Sequence, residues 1–565
     1  MRPLALIFAG IFSLWAHSAV ANQLSGAYLA ARHAHAMHDY ASSATYHSRL
    51  IVADKHNVAA VENLLIGQVA IGQVDRAVKV ATAFDDLRQD IPIINLLGLA
   101  SGIKDKQYKD VVNSVELSSA NAGALLIERL VKAWAMAGNT QFEAASEIFD
   151  GLLADDSLAN FGVHHKALFN LFQNDYEACE KTILDYIARG RDVSGRTAPL
   201  LIYAVAMQGR FEDAQQLVAD FYQGPIPAHM QALALAIEQS QRPADPYITS
   251  PRDGVAEAFL TFAQVFQASE NGQDALILAR IAEYLSREKD HAILLSGDIL
   301  TDMEQYHLAA KTYDTVSEAS YLFHTAELGR ADVLSADKRP EEAIDVLSAL
   351  TQSHPEFRQA FRSLGDVLRN EERYEEAARA YTTAIDLAEQ QNTVTWVLFH
   401  LRGMTYERLG LWDNAEQDFR RALSLEPDQP YVLNYLGYSL VEKQMKLDEA
   451  LEMIKRAVQI ESDSGYIVDS LGWVLFRLKR FDEAVGHLEK AASLMPVDPI
   501  INDHLGDSYW AVGRKREAHF QWQRALSFEP EAAEEERIRK KIEVGLDQVL
   551  LDEGAEPLTP MQGDE

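Results

Sequence analysis

The chain has 565 residues, 48% of them hydrophobic and 24% charged, a folded composition with room for several domains or one long array. Its formal charge of -32 repels polyanions at long range, which argues against nucleic acid and anionic lipid as partners. The single cysteine, Cys179, excludes an intramolecular disulfide and leaves no thiol for lipid attachment at the signal cleavage site described next.

Residues 1–21 read as a signal peptide: Arg2, an apolar stretch from Leu4 to Trp15, then Ala19-Val20-Ala21 as a small-x-small cleavage site. A stretch of about 12 apolar residues is too short for a bilayer that takes ~20. The mature chain is expected to start near Asn22 in a bacterial periplasm, without a direct lipid anchor, with a peripheral place at the outer membrane as one option. Over 22–223 a faint beat follows, with Ala31, Leu65, Gly98, Ala133, Ala167 and Ile202 at steps of 34, 33, 35, 34 and 35. Tyr40, Tyr108, Phe142, Tyr176 and Phe211 each open the second helix of a pair. Residues 224–255 interrupt the beat and contain Pro243, Pro246 and Pro251, which reads as a broken repeat and surface loop between two array halves.

The beat is clearest over 256–530. Small residues fall at Ala263, Gly297, Ala331, Gly365, Gly403, Gly437, Gly472 and Gly506, stepping 34, 34, 34, 38, 34, 35 and 34. Phe399, Gly403, Tyr406, Ala415, Phe419, Ala422 and Pro427 give a large-small-large-small-large-small-proline signature. Gly472 repeats it with Leu471, Leu475, Ala484, Leu488, Ala491 and Pro496, and Gly506 with Leu505, Tyr509, Ala518, Trp522, Ala525 and Pro530. The spacing describes helical hairpins: small residues such as Gly472 and Ala484 let paired helices approach, and proline stops the second helix. Residues 531–553, with Ile538, Ile542, Leu546 and Val549 at helical spacing, form a capping helix. Residues 554–565 read as a disordered tail.

These residues resemble the tetratricopeptide-repeat (TPR) family over nearly all of the mature length. The resemblance implies an all-α solenoid, a right-handed superhelix of about 13–14 hairpins. In that architecture the first helices line the inner surface through positions 2, 5, 6, 9, 12 and 13, the small residue being position 8. In the last three repeats these are Tyr431, Asn434, Tyr435 and Tyr438; Tyr466, Asp469, Trp473, Phe476 and Arg477; and Asp503, His504, Asp507 and Trp510. Asn434, Asp469 and Asp503 form a polar ladder suited to a peptide backbone, and Tyr438, Trp473 and Trp510 a set of aromatic grips. The plainer alternative is that the aromatics pack against neighbouring hairpins. Earlier repeats offer Arg362, Asp366, Arg369 and Asn370, then His400, Met404, Glu407 and Arg408. The lysine and asparagine set that clamps a chaperone's C-terminal carboxylate is not found.

No phosphate-binding loop, zinc-protease helix or serine elbow occurs, so no catalytic residue, cofactor or metal is expected. Ser101 with Lys104 and Ser335 with Lys338 lack companion motifs. His35 and His38 share a helix face while His33 points elsewhere, so the cluster beside Asp39 reads as solvated. Cys179 occupies a small-residue packing slot.

The runs Asn434 to Leu440, Asp469 to Leu475 and Asn502 to Asp507 also resemble large envelope TPR proteins of Gram-negative bacteria. One type among these is a lipoprotein adaptor that brings cell-wall hydrolases to a periplasmic carboxyl-terminal processing protease. The resemblance implies protein partners and a periplasmic adaptor, although this chain lacks those adaptors' lipidated cysteine. An envelope-assembly scaffold without a protease is the alternative. A hydrolase using Asp503, His504 and Asp507 is the third.

Overall fold

The structure, a computed structural model, describes residues 25–115, 122–224, 226–243, 247–269 and 271–558. The expected signal peptide, Pro246 and most of the expected tail lie outside those residues. The described elements are helices, with no strand among the described residues, and the chain divides into two compact units, 1–350 and 351–565. No helix among the described residues is long and apolar enough to cross a membrane.

The helices pair as antiparallel hairpins in both units. Tyr40, Tyr108, Phe142, Tyr176 and Phe211 are each the first residue of a helix, as the faint beat predicts. The close approach at the small position differs in detail from the expected glycine–alanine contact. A Cβ on Gly403 would lie 2.7 Å from Phe419, and one on Gly472 would lie 2.5 Å from Leu488. The large residue sixteen positions on therefore fills the glycine's empty side, and any side chain there forces the hairpin apart.

In the first unit, helices α1 (Val58–Ala70), α2 (Ala122–Gly138), α3 (Ala159–Phe172) and α4 (Ala198–Met207) belong to the N-terminal hairpins. Residues 224–255 contain a helix at Ala228–Glu238 and the start of helix α5 (Pro251–Ala268). Pro251 sits in the first turn of α5, where its missing N–H costs nothing. Ser250 and Asp253 close a capping box ahead of it. Helix α6 (Gly272–Leu285) completes this hairpin. In a simple solenoid each repeat touches only its neighbours. Here α5 packs against α2 and α3, and α6 against α1, far from their sequence neighbours.

In the second unit, the first helices are α7 (Arg358–Asn370), α8 (Trp396–Arg408), α9 (Pro430–Glu442), α10 (Gly465–Arg477) and α11 (Pro499–Ala511). Helix α7 touches α8, α9 touches α10 and α10 touches α11, while Tyr435 of α9 reaches Glu407 and His400 of α8 through its side chain. The expected capping helix is two helices, α12 (Ala532–Val544) and α13 (Leu546–Asp552), broken at Gly545. Gly545 has φ 85°, a conformation open to glycine, and the Trp510 ring fills the space a side chain would need. Ile538 and Leu546 close the end of the core, and Val549 is buried as well.

Candidate functional site

Inner-face positions in the first unit are occupied by its own helix α5. Phe161 stacks on Phe262 with centroids 5.3 Å apart and planes 5° from parallel. Arg196 donates two hydrogen bonds to Glu257, Nε to Oε1 at 2.8 Å and Nη2 to Oε2 at 2.6 Å. His164 Nε2 reaches the same carboxylate at 3.0 Å. Burial opposes ionisation of Glu257, but Arg196 and His164 outweigh it and hold the group far below the usual carboxylate range. Trp134 is fully buried, donates from Nε1 to His165 Nδ1 at 3.2 Å, and rests against Gly254 of α5, where a Cβ would overlap the indole. Burial pushes His165 down to about 3, so it is neutral, with its Nε2 unpaired.

At the candidate inner-face positions of the second unit, Tyr431, Tyr466 and Arg477 are exposed and the polar groups pair from one repeat to the next. Tyr435 donates its hydroxyl to Glu407 at 2.7 Å, Arg477 pairs with Glu442 at 2.8 Å, and His504 Nδ1 meets Asp469 at 3.0 Å. Lys541 of α12 is wholly buried and bonds both Asp503 and Asp507, at 2.7 and 2.8 Å. Two rungs of the polar ladder, Asp469 and Asp503, are thus engaged within the chain. Asn434, the third, keeps a buried Oδ1 with no partner. His400, packed against Tyr435, also has an unpaired Nδ1, and burial pushes that ring down to about 4.

The aromatic grips divide in the same way. Trp510 donates to Asp547 of α13 at 2.9 Å and leans on Trp522. Trp473 lies parallel to His504 at 3.9 Å and to Phe476 at 4.9 Å, while Phe476 is itself buried. Tyr438 is half-buried, and its hydroxyl is pushed up to about 12 by burial and by Glu442. Tyr431 and Tyr466 project furthest, at 53% and 60% exposed.

The sequence reading missed two features of this unit. Lys541 was not identifiable because a lysine in a charged helix normally reads as solvated. Ile500, 46% exposed, follows Tyr431 and Tyr466 at the second position of its helix, and a large apolar residue there in three consecutive repeats was the available signal.

Elsewhere, Cys179 is buried with its thiol pushed up by burial, which keeps it protonated and unreactive. Among the described residues no three His, Cys, Asp or Glu side chains form a metal-holding group.

Stacked antiparallel hairpins with side-by-side first helices define the class of helical-repeat interaction proteins. The tetratricopeptide-repeat family model matches residues 294–353, 336–392 and 400–467, so these segments carry TPR repeats. A TPR repeat-containing protein of Pseudomonas aeruginosa is 29% identical over 186 residues, 33% of this chain and 31% of the relative. The chain thus matches about a third of that relative's length. Among solved structures, the Cut9–Hcn1 hetero-tetramer of the APC/C is similar over 92% of this chain and 96% of its own (15% identity, TM-score 0.37). YrrB, a TPR protein with an unusual peptide-binding site, covers 34% of this chain and 97% of its own (18% identity, TM-score 0.27). Superpositions this loose carry no information about partners. These repeats support a protein-interaction scaffold.

Proposed function

We propose that the chain is a periplasmic scaffold without catalysis of its own that binds polypeptide on the inner face of its second unit. In this reading it is an adaptor for a carboxyl-terminal processing protease acting on cell-wall hydrolases. The observation that supports it is the contrast between the two inner faces. The first is filled by helix α5, whereas the second leaves Tyr431, Tyr438 and Tyr466 accessible beside the unpaired Oδ1 of Asn434. An unpaired buried acceptor costs free energy, which the Asn434 side chain recovers if it turns outward to meet a bound backbone N–H.

Affinity purification from periplasmic extract, with the Asn434→Leu, Tyr438→Ala chain as control, tests the scaffold. The wild type should retain a processing protease or its substrates, and the variant should lose them. Equal recovery on both would overturn the binding face, and recovery of wall-synthesis proteins alone would move the role to envelope assembly.

A further inference from the structure

The second unit has an apolar strip on the edge where each second helix hands over to the next first helix. Tyr431, Tyr466 and Ile500 are the second residues of α9, α10 and α11, and all three are exposed. Ile460 and Leu494 are the last residues of the helices that precede α10 and α11, at 43% and 37% exposed. Val497, in the turn before α11, is 67% exposed. Exposed apolar residues therefore recur in three consecutive repeats at one end of their helices, and a cluster of this kind marks an interaction site. The connecting turns are acidic, with Glu426, Asp428, Glu461, Asp463 and Asp498 and no lysine or arginine between Glu426 and Gln429, Glu461 and Ser464, or Met495 and Asp498. Asp428 pairs with Arg456, while Glu461 and Asp463 make no ion pair among the described residues.

We propose that this edge docks a cationic amphipathic helix of a partner protein. The inference rests on the reading that the second unit binds polypeptide, and it specifies the partner's chemistry. Touching first helices have axes about 8–10 Å apart, so the exposed residues recur at that interval. An α-helix laid along the strip repeats one side every seven residues, about 10.5 Å, and can set an apolar residue against each of Tyr431, Tyr466 and Ile500. An extended strand repeats its face about every 6.8 Å, roughly 1.2–3.2 Å short of that interval, against roughly 0.5–2.5 Å over for the helix. Basic residues flanking the apolar stripe would face the acidic turns.

The test uses the full chain and a labelled synthetic helix of about 18 residues, with leucines at i, i+7 and i+14 and flanking lysines. Two control peptides are a scrambled one of equal composition and one with every lysine replaced by glutamate. The cationic amphipathic peptide should bind, and added salt should weaken it. Tyr466→Ser with Ile500→Ser should reduce its affinity at least tenfold, as should Val497→Ser with Tyr431→Ser, a second pair that guards against misfolding of the first. Equal binding by the scrambled peptide, or unchanged binding by both double variants, would overturn the proposal. Failure of the peptide while a periplasmic protein still depends on Asn434 and Tyr438 would overturn it and leave the scaffold reading standing. Loss of both would remove both.

Discussion

In the first unit the positions that would meet a partner, Trp134, Phe161, His164 and Arg196, meet helix α5 instead, about 60 to 120 residues further along the chain. In the second unit the corresponding positions of α8, α9 and α10 meet one another and solvent. The repeat geometry is shared, so position within a repeat does not decide whether a side chain is available. Availability is decided by whether a distant segment folds back onto it, and α5 can do so because its own face is apolar, with Val255, Phe259 and Phe262 buried.

The comparison is most severely tested at Trp134. If α5 closes the first interior, Trp134→Ala should destabilise the first unit by about 3–5 kcal/mol, because a fully buried indole leaves a cavity its neighbours cannot fill. Denaturant unfolding read from the two units separately should show this loss in the first unit alone. A stability change below 1 kcal/mol would mean that α5 is only loosely seated.

Next comes Glu257→Ala, which leaves Arg196 and His164 without their shared carboxylate. Charge-assisted hydrogen bonds of this kind are worth about 1.5–3 kcal/mol, and the partial exposure of Arg196 places the expected loss near the lower end. Hydrogen exchange in Ala159–Phe172 and Pro251–Ala268 should rise together in this variant, whereas protection in 396–510 should not change.

On the open side, Trp473→Ala should weaken partner binding by about 2 kcal/mol if its exposed edge is a hot spot. Because the indole also stacks on His504 and Phe476, the same variant will lose some stability. A stability loss with unchanged affinity would assign Trp473 wholly to packing.

Acid and base act in opposite directions on two histidines, one in each unit. His165 is held neutral, its pKa pushed down to about 3, so its native environment loses stability as pH falls below the ordinary histidine value near 6.5, by about 1.4 kcal/mol per unit. For His504, burial lowers the pKa but Asp469 more than offsets it, leaving it raised. Its contribution is therefore complete below about pH 6.5 and disappears as pH rises through the raised value. Unfolding midpoints measured against pH should show the acid loss flattened in His165→Gln. In His504→Asn the destabilisation relative to wild type should shrink toward alkaline pH. A destabilisation in His504→Asn that grows with pH would reverse the assignment.

Much of the fold was legible because its determinants are local. The small residue, the large residue sixteen positions on and the turn before the second helix all fall within one 34-residue period, and even the degenerate repeats kept Tyr108 and Phe142 at their helix starts. The candidate site was less legible because its occupancy is set by contacts between repeats. Asp469 and Asn434 hold the same position, yet one finds His504 and the other has no partner. Nothing within a repeat distinguishes them. The pairing of Asp503 and Asp507 with Lys541 depends on where the broken terminal helix lies, and Gly545 sets that break.

The smallest expected effect is at Asn434, and its sign is the informative part. In the free chain its Oδ1 is buried and unpaired, a situation that costs about 1 kcal/mol or more. Asn434→Leu removes that acceptor while keeping a similar volume, so the variant should be as stable as the wild type or slightly more so, by under about 1 kcal/mol. If the acceptor is retained for a partner's backbone N–H, the same substitution should weaken binding while leaving the melting temperature level or raised. A lowered melting temperature would mean that Oδ1 already has a partner in the free chain, and the asymmetry between Asn434 and Asp469 would then disappear.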